Sequence, residues 1–159
     1  MPTKKKYEVD VYLLAVRQTG HSFEVGLLMN KKGLLHIPKA NINESVLKTV
    51  TELTHNNLLE IKEHNTDGFL QNQLLRIVDI YDVNMQIGII YRLDFHYPVR
   101  KQSDLKFFSP TTILEMIESQ QDDNKKQSFT DEHQINIIKT SLFNERRIAP
   151  NGYPEQPTI

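Results

Sequence analysis

The chain has 159 residues, of which 38% are hydrophobic and 25% are charged, and its formal net charge is −1. This length is typical of one domain, and the composition is that of a globular protein, which disfavours a strongly basic nucleic-acid binder and an acidic disordered chain. Since there is no cysteine, disulfides, thiolate metal sites and cysteine nucleophiles are excluded.

The sequence also lacks the pattern of a membrane or secreted protein. No apolar run reaches the ~18 residues that a membrane helix needs. The start Met-Pro-Thr-Lys-Lys-Lys has no apolar segment of the kind found in signal peptides. We therefore predict a cytoplasmic protein that does not enter a membrane.

The first thirty residues predict a β-hairpin. Residues 1–6 form a basic arm, which we interpret as solvated. Residues 7–16 are rich in β-branched and aromatic side chains and are apolar on both faces, which favours a strand in a sheet that is covered on both sides. After turn-forming residues at 18–21, the apolar run at 23–29 predicts the second strand of the hairpin.

A helix is predicted at 42–56. Asn41 is a favourable N-cap, and Glu44 three places later completes an Asn-x-x-Glu capping-box pattern. Apolar residues then recur at i, i+4 and i+7, which predicts one packed stripe formed by Val46, Val50 and Leu53.

The rest of the chain predicts three strands and two helices. The strands are predicted at 58–63, 74–81 and 87–97, and the last alternates apolar residues with a polar row that includes Arg92 and Asp94. Ser109-Pro110 predicts the start of a helix at 111–119, and Thr130 predicts the cap of a helix at 131–145. The tail at 146–159 contains three prolines and is predicted to be extended.

This order of elements predicts one α/β domain at 7–145, with a mixed sheet between layers of helices. It resembles the Nudix hydrolase family, in the branch of ADP-ribose pyrophosphatases and related regulators. The resemblance is carried by the strand at 9–17, Gln73-Leu74 at a strand start, the segment 105–110 before a helix, and Asp131-Glu132-His133 at the start of the final helix. It implies a three-layer α/β/α sandwich that acts on nucleotide pyrophosphates with Mg²⁺.

The family signature, G-x5-E-x7-R-E-U-x-E-E-x-G-U, is only partly present. Pro38 matches the turn that precedes it, but Lys39 and Ala40 stand where two glycines belong. Between residues 37 and 59 the only carboxylates are Glu44 and Glu52, whereas the signature has four glutamates.

The missing carboxylates bear on catalysis. Glutamates at i, i+3 and i+4 share one helix face and hold Mg²⁺, which neutralises the pyrophosphate and activates water. When Glu52 is aligned on the signature, the same face carries His55 and Asn56, so it has one negative charge instead of three. We predict an impaired hydrolase site in which Glu52 is the catalytic remnant, with Glu44 and His55 as weaker candidate metal ligands.

Four residues are candidates for contacting a ligand. Arg76, Arg92 and Arg17 are candidate phosphate contacts, because a guanidinium pairs with two phosphate oxygens at once. His36, next to Pro38, is a candidate ligand contact. The alternative interpretation is surface charge for the arginines and a structural, partly buried side chain for the histidine.

Three functions remain open from the sequence. The first is a Nudix-fold protein that binds an ADP-ribose-like nucleotide without turnover, with no cofactor and no direct binding of nucleic acid. The second is an active Mg²⁺-dependent hydrolase with relocated carboxylates, for which Asp104, Asp79 and Glu63 are candidates. The third is an interaction module that forms a homodimer or binds another protein.

Overall fold

A computed structural model describes residues 7–42, 44–57, 75–95, 104–122 and 126–143, without the side chain of His55. In these ranges the strands are β1 (Glu8–Gln18), β2 (Phe23–Met29), β3 (Leu35–His36), β4 (Lys39–Asn41), β5 (Leu75–Val83), β6 (Gln86–Phe95) and β7 (Lys106–Phe108). The helices are α1 (Val46–Asn57), α2 (Pro110–Gln121) and α3 (Glu132–Leu142).

The strands form one mixed sheet with β1 at its centre. The main strand order is β3-β2-β1-β6-β5, while β4 also pairs with β1 and β7 with β2. β1 is antiparallel to β2, as the predicted hairpin requires, and parallel to β6. Every residue from Val11 to Val16 is at most 2% exposed, which confirms the prediction of a strand that is covered on both sides.

Alternating side chains of β1 belong to two separate cores. Tyr12, Leu14 and Val16 pack with apolar residues of α2 and α3, which are Ile113, Ile117, Ile135, Ile137, Ile138 and Leu142. Val11, Leu13 and Ala15 pack with Val50 and Leu53 of α1. We call these two sides of the sheet the α2/α3 face and the α1 face. Together they confirm the predicted three-layer α/β/α arrangement.

The helix starts differ from two of the predictions. α1 begins at Val46, because β4 continues through Asn41, which pairs with Asp10 of β1. The N-cap is Ser45, whose Oγ accepts a hydrogen bond from the Lys48 amide at 3.1 Å. The predicted Asn41 cap and its capping box with Glu44 are therefore wrong.

The last helix is capped one residue later than predicted. Asp131 Oδ1 accepts a hydrogen bond from the Gln134 amide at 3.0 Å, so Asp131 and not Thr130 is the N-cap of α3. The Thr130 amide instead donates to the carbonyl of Leu35 at 3.1 Å, in a short bridge beside β3. For α2, the predicted Ser109 cap is confirmed by its bond from the Thr112 amide.

Other predicted elements agree where they can be compared. The predicted strands at 74–81 and 87–97 correspond to β5 and β6 over residues 75–95. The predicted strand at 58–63, the arm at 1–6 and the tail at 146–159 lie outside the described residues. In the part of the chain that is described, no helix is long and apolar enough to cross a membrane.

Candidate functional site

Glu52 lies on the solvent side of α1. The opposite side of the helix is buried on the sheet through Thr49, Val50, Leu53 and Thr54. Both threonine hydroxyls donate to helix carbonyls, those of Ser45 and Val50, at 2.8 Å. Glu52 itself is exposed, so the predicted catalytic remnant points away from the core.

Lys48 lies between Glu44 and Glu52 in sequence, the two carboxylates of the segment that was compared with the family signature. Lys48 and Glu52 are four residues apart on one side of α1, and Glu44 lies immediately before the N-cap Ser45. The Lys48 Nζ is 2.7 Å from the Glu44 Oε2. One of the two carboxylates is therefore paired with an ammonium group, and the three side chains together carry one net negative charge.

The side chains that the structure describes do not fit a magnesium site. Mg²⁺ takes hard oxygen ligands in near-octahedral geometry. In the described ranges, no group of three or more His, Cys, Asp or Glu side chains is arranged to hold a metal ion. Of the carboxylates that a relocated site would use, Asp104 is exposed ahead of β7, and the Asp79 Oδ1 accepts a hydrogen bond from the Ile80 amide. Glu63 and the side chain of His55 lie outside the described part.

Arg17 lies on the α1 face with its charge already balanced. Its Nη2 is 3.0 Å from the Oε1 of Glu24, its partner across the β1–β2 hairpin. The guanidinium also lies 4.0 Å above the centre of the Phe107 ring. That ring approaches β2 closely because position 26 is glycine, where a Cβ would lie 3.0 Å from the ring. The structure therefore gives Arg17 a packing role.

His36 lies on the edge strand β3. It is opposite Leu28, which packs against the α1-face core, so the His36 side chain also lies on that face. Its Nδ1 is 3.4 Å from the carbonyl oxygen of Ile37, and the residue is half-buried. In the described part of the chain, nothing brings His36 together with the other three candidate ligand contacts.

Arg76 and Arg92 lie together on the α2/α3 face. They are direct partners across β5 and β6, and Arg92 also lies beside Leu14 of β1. Arg92 donates hydrogen bonds from Nε and Nη2 to Asp94 at 3.0–3.2 Å. The Nη2 of Arg76 is 4.0 Å from the same carboxylate.

Gln18 completes this group, which we call the Asp94 cluster: Gln18, Arg76, Arg92 and Asp94. The Gln18 Nε2 donates to Asp94 Oδ1 at 2.8 Å, so the carboxylate connects β1, β5 and β6. The side chains of Arg92 and Asp94 are 18% and 21% exposed, whereas that of Arg76 is 56% exposed. Arg76 thus presents an accessible guanidinium that is backed by a partly buried ion pair.

Asp94 and Gln18 are site residues that the sequence alone does not single out. The available signal is the spacing of Arg92 and Asp94, because residues two apart on a strand point to the same face. Lys48 carries a similar signal, since its spacing of four residues from Glu52 places both on one side of α1.

A second set of polar side chains on the α2/α3 face is packed too closely to admit a ligand. The hydroxyls of Tyr81 and Tyr12 are hydrogen-bonded at 3.1 Å, and the His133 ring meets the Tyr81 ring edge-on at 4.6 Å. The Tyr81 ring lies over Gly88, where a Cβ would overlap it. Burial raises the pKa of the Tyr12 and Tyr81 hydroxyls above the ordinary value of 10.0. Because the rings touch one another, they leave no room for a ligand between them.

The fold is similar to solved structures at low sequence identity. The Nudix domain of Shewanella oneidensis NrtR, in complex with ADP-ribose, has a TM-score of 0.59 at 13% identity, over 91% of this chain and 93% of that one. The NrtR of Shewanella oneidensis in complex with a 27mer DNA has a TM-score of 0.54 at 14% identity, over 94% of this chain and 69% of that one.

This chain has a Nudix-like fold.

Two further solved structures that are similar to this chain differ in what they contain. A bifunctional NMN adenylyltransferase/ADP-ribose pyrophosphatase of Francisella tularensis, with AMP and a manganese ion, has a TM-score of 0.56 at 14% identity, over 88% of this chain and 42% of that one. The C-terminal domain of mouse MUTYH, in complex with human PCNA, has a TM-score of 0.57 at 8% identity, over 96% and 95%. Neither protein-family models nor curated proteins match the sequence. At these identities the similarity establishes the fold and not a shared activity.

Within this Nudix-like fold, the predicted site residues are divided between the two faces of the sheet. Glu52 is on α1, and Arg17 lies on the α1 face of the sheet. Arg76 and Arg92 lie on the α2/α3 face. The predicted metal ligands are not assembled in the described part of the chain, while two of the predicted phosphate contacts are brought together around Asp94.

Proposed function

We propose that this protein binds a nucleotide-type ligand of ADP-ribose chemistry and does not hydrolyse it at a metal site on α1. The observation that carries the proposal is the ion pair of Lys48 with Glu44, because Lys48 lies one turn before Glu52 on α1. A divalent cation there would meet an ammonium group and too few carboxylates to replace its hydration shell. The ADP-ribose complex of a protein with the same fold supports the choice of ligand.

We further propose that Arg76 contacts a phosphate of this ligand, with Arg92 held beside it by Asp94. Arg76 is the most accessible of the three candidate arginines, and guanidinium groups suit phosphate oxygens in geometry and charge. We do not assign this role to Arg17, which pairs with Glu24 at 3.0 Å and lies against the Phe107 ring.

The proposal is tested by measuring binding and hydrolysis separately. Isothermal titration of the full chain with ADP-ribose and NAD is expected to show binding without added metal. Incubation of ADP-ribose with Mg²⁺ or Mn²⁺ is expected to release no AMP, and Glu52→Gln is expected to leave binding unchanged. Release of AMP that Glu52→Gln abolishes would instead establish an active hydrolase. No heat with either ligand at millimolar concentration would refute a nucleotide-binding role and favour the protein-interaction module.

A matched pair of variants tests the location of the site. Arg76→Gln is expected to weaken ADP-ribose binding about tenfold or more, because a charge-assisted contact is worth roughly 1.5–3 kcal/mol. Arg17→Gln removes the same charge on the α1 face and is expected to leave the affinity unchanged. Equal losses in both variants would contradict a site at the Asp94 cluster.

A further inference from the structure

Asp94 determines the charge that the cluster offers to a ligand. Its carboxylate lies between two guanidinium groups, that of Arg92 in direct hydrogen bonds and that of Arg76 at 4.0 Å. Gln18 contributes a hydrogen bond without a charge. The cluster therefore carries one net positive charge, and the accessible part of that charge is on Arg76.

Phosphates differ in the charge that they bring to such a site. Each phosphate in a pyrophosphate diester, such as the central group of ADP-ribose, has one ionisable oxygen and carries one negative charge. A terminal phosphomonoester has a second pKa near 6 and carries almost two negative charges at neutral pH. One phosphate of the diester type is thus enough to neutralise the net charge of the cluster.

A second negative charge on the same phosphate would have no partner in the cluster. It would lie near the Asp94 carboxylate, which is only 21% exposed. Charges that are partly buried are screened less by water and salt than charges at an open surface. Repulsion between Asp94 and the extra charge would therefore oppose a terminal phosphate more strongly than a bridging one.

We propose that Asp94 is a specificity-determining residue that makes this site selective for phosphates with one negative charge over terminal phosphomonoesters. The inference rests on the proposed function, since it takes the ligand phosphate to bind at Arg76. It goes beyond that function because it assigns the discrimination between ligands to a single carboxylate. A purely structural Asp94, which only holds Arg92 in place, would change the affinity of all phosphates by the same factor.

The experiment compares two ligands in two proteins. ADP-ribose and ADP share an adenosine and two phosphates, and only ADP has a terminal phosphate. Titration calorimetry of the wild-type chain and of Asp94→Asn at neutral pH gives the ratio of their affinities in each protein. Contacts to the second ribose contribute to both proteins, so the change in the ratio isolates the effect of the carboxylate. Asp94→Asn is expected to shift this ratio about tenfold toward ADP.

Two further variants keep the test decisive. Glu24→Gln makes the same carboxylate-to-amide change in the ion pair on the α1 face and is expected to leave the ratio unchanged. Gln18→Lys adds a positive charge while keeping the pair of Arg92 and Asp94, so it is expected to shift the ratio toward ADP even if Asp94→Asn does not fold.

The outcomes separate this inference from the proposed function. If both ligands bind but neither Asp94→Asn nor Gln18→Lys changes their ratio by more than about twofold, charge selection by Asp94 is refuted and nucleotide binding stands. If the folded wild-type chain binds neither ligand, the proposed function fails first. A shift in the ratio for Glu24→Gln as large as for Asp94→Asn would also overturn the inference.

Discussion

The side-chain Oε1 of Gln134 on α3 accepts a hydrogen bond from the backbone N–H of Ile37 at 2.8 Å, across 97 positions in sequence. Gln134 is only 5% exposed. Ile37 lies between β3 and β4, and the carbonyl of the next residue, Pro38, accepts from the amide of Leu13 in β1. One buried amide therefore joins α3 to the segment that leads into α1.

We expect Gln134→Ala to destabilise the protein by about 1–3 kcal/mol, because it leaves the buried Ile37 N–H without its acceptor. The measurement is the midpoint of urea unfolding. It reports a change in stability when the m-value, the slope of the unfolding free energy against urea concentration, is the same in both proteins. Asn136→Ala on the exposed side of the same helix is the control and is expected to change stability by less than about 0.5 kcal/mol. Equal midpoints for Gln134→Ala and wild type would show that the bond contributes nothing.

Local sequence predicts most of the described strands, the helices and their layers, but not where α1 and α3 begin. Asn41 and Ser45 are both good capping residues, as are Thr130 and Asp131. The choice between them is made by strand pairing far away in sequence: Asn41 is used in β4 against Asp10, and the Thr130 amide binds the carbonyl of Leu35. A capping pattern alone contains no information on these tertiary bonds.

The candidate site is predictable only within one strand or one helix. Alternation along β6 places Arg92 and Asp94 on one face, and helix spacing places Lys48 near Glu52. The contacts of Gln18 and Arg76 with Asp94 depend on β1 and β5 lying on either side of β6. The sequence does not specify that strand order, so it groups Arg17 with two arginines that lie on the other face.

A two-residue turn joins β5 and β6 and places Met85 in a left-handed conformation. Asn84 and Met85 have φ values of 52° and 67°, the pattern of a type I′ turn, which favours glycine at its second position. We expect Met85→Gly to stabilise the protein by about 1 kcal/mol, because a residue with a Cβ pays roughly that much in this conformation. Thermal unfolding gives the readout.

The neighbouring residue is the control for this turn. Asn84→Gly is expected to have a smaller effect, since asparagine tolerates the left-handed region better than methionine does. The carbonyl of residue 85, which accepts the amide of Glu8, is present in both variants. A lower melting temperature for Met85→Gly would contradict a strained turn.

The buried Tyr12 hydroxyl predicts loss of stability in alkali. Its pKa is raised above the ordinary value of 10.0 chiefly by burial, so the folded protein holds this proton more tightly than the unfolded chain does. The contribution of this hydroxyl to stability is therefore fully present below pH 10.0, the ordinary tyrosine pKa. It is lost progressively as the pH rises above that value toward the folded-state pKa. Tyr81, whose pKa is raised by burial as well, contributes in the same direction.

Tyr12→Phe separates this effect from general alkaline unfolding. At neutral pH the variant is expected to lose about 0.5–1.5 kcal/mol, because the Tyr81 hydroxyl loses its partner. Between neutral pH and about pH 11 it is expected to lose less further stability than wild type, since one titrating group is gone. Tyr7→Phe, at a side chain that is 54% exposed, should follow wild type at both pH values. Parallel losses in all three proteins would exclude Tyr12 as a source of the alkaline instability.

The charges of Glu44, Lys48 and Glu52 predict how divalent cations affect the thermal stability of the protein. A ligand that binds only the folded state stabilises it by RT ln(1 + [L]/Kd). Since Lys48 pairs with Glu44 beside Glu52, millimolar Mg²⁺ or Mn²⁺ is expected to leave the melting temperature of the wild type unchanged at constant ionic strength. Lys48→Glu replaces the ammonium group with a third carboxylate near Glu44 and Glu52. We expect Mn²⁺ to stabilise this variant weakly, by about 1.4 kcal/mol when the free ion reaches about ten times its Kd. Lys48→Gln removes the ammonium without adding a ligand and is the control for the loss of the ion pair. The opposite result would be stabilisation of the wild type by Mg²⁺ that disappears in Glu52→Gln. It would show that α1 binds a cation despite Lys48, and it would favour the alternative of an active hydrolase.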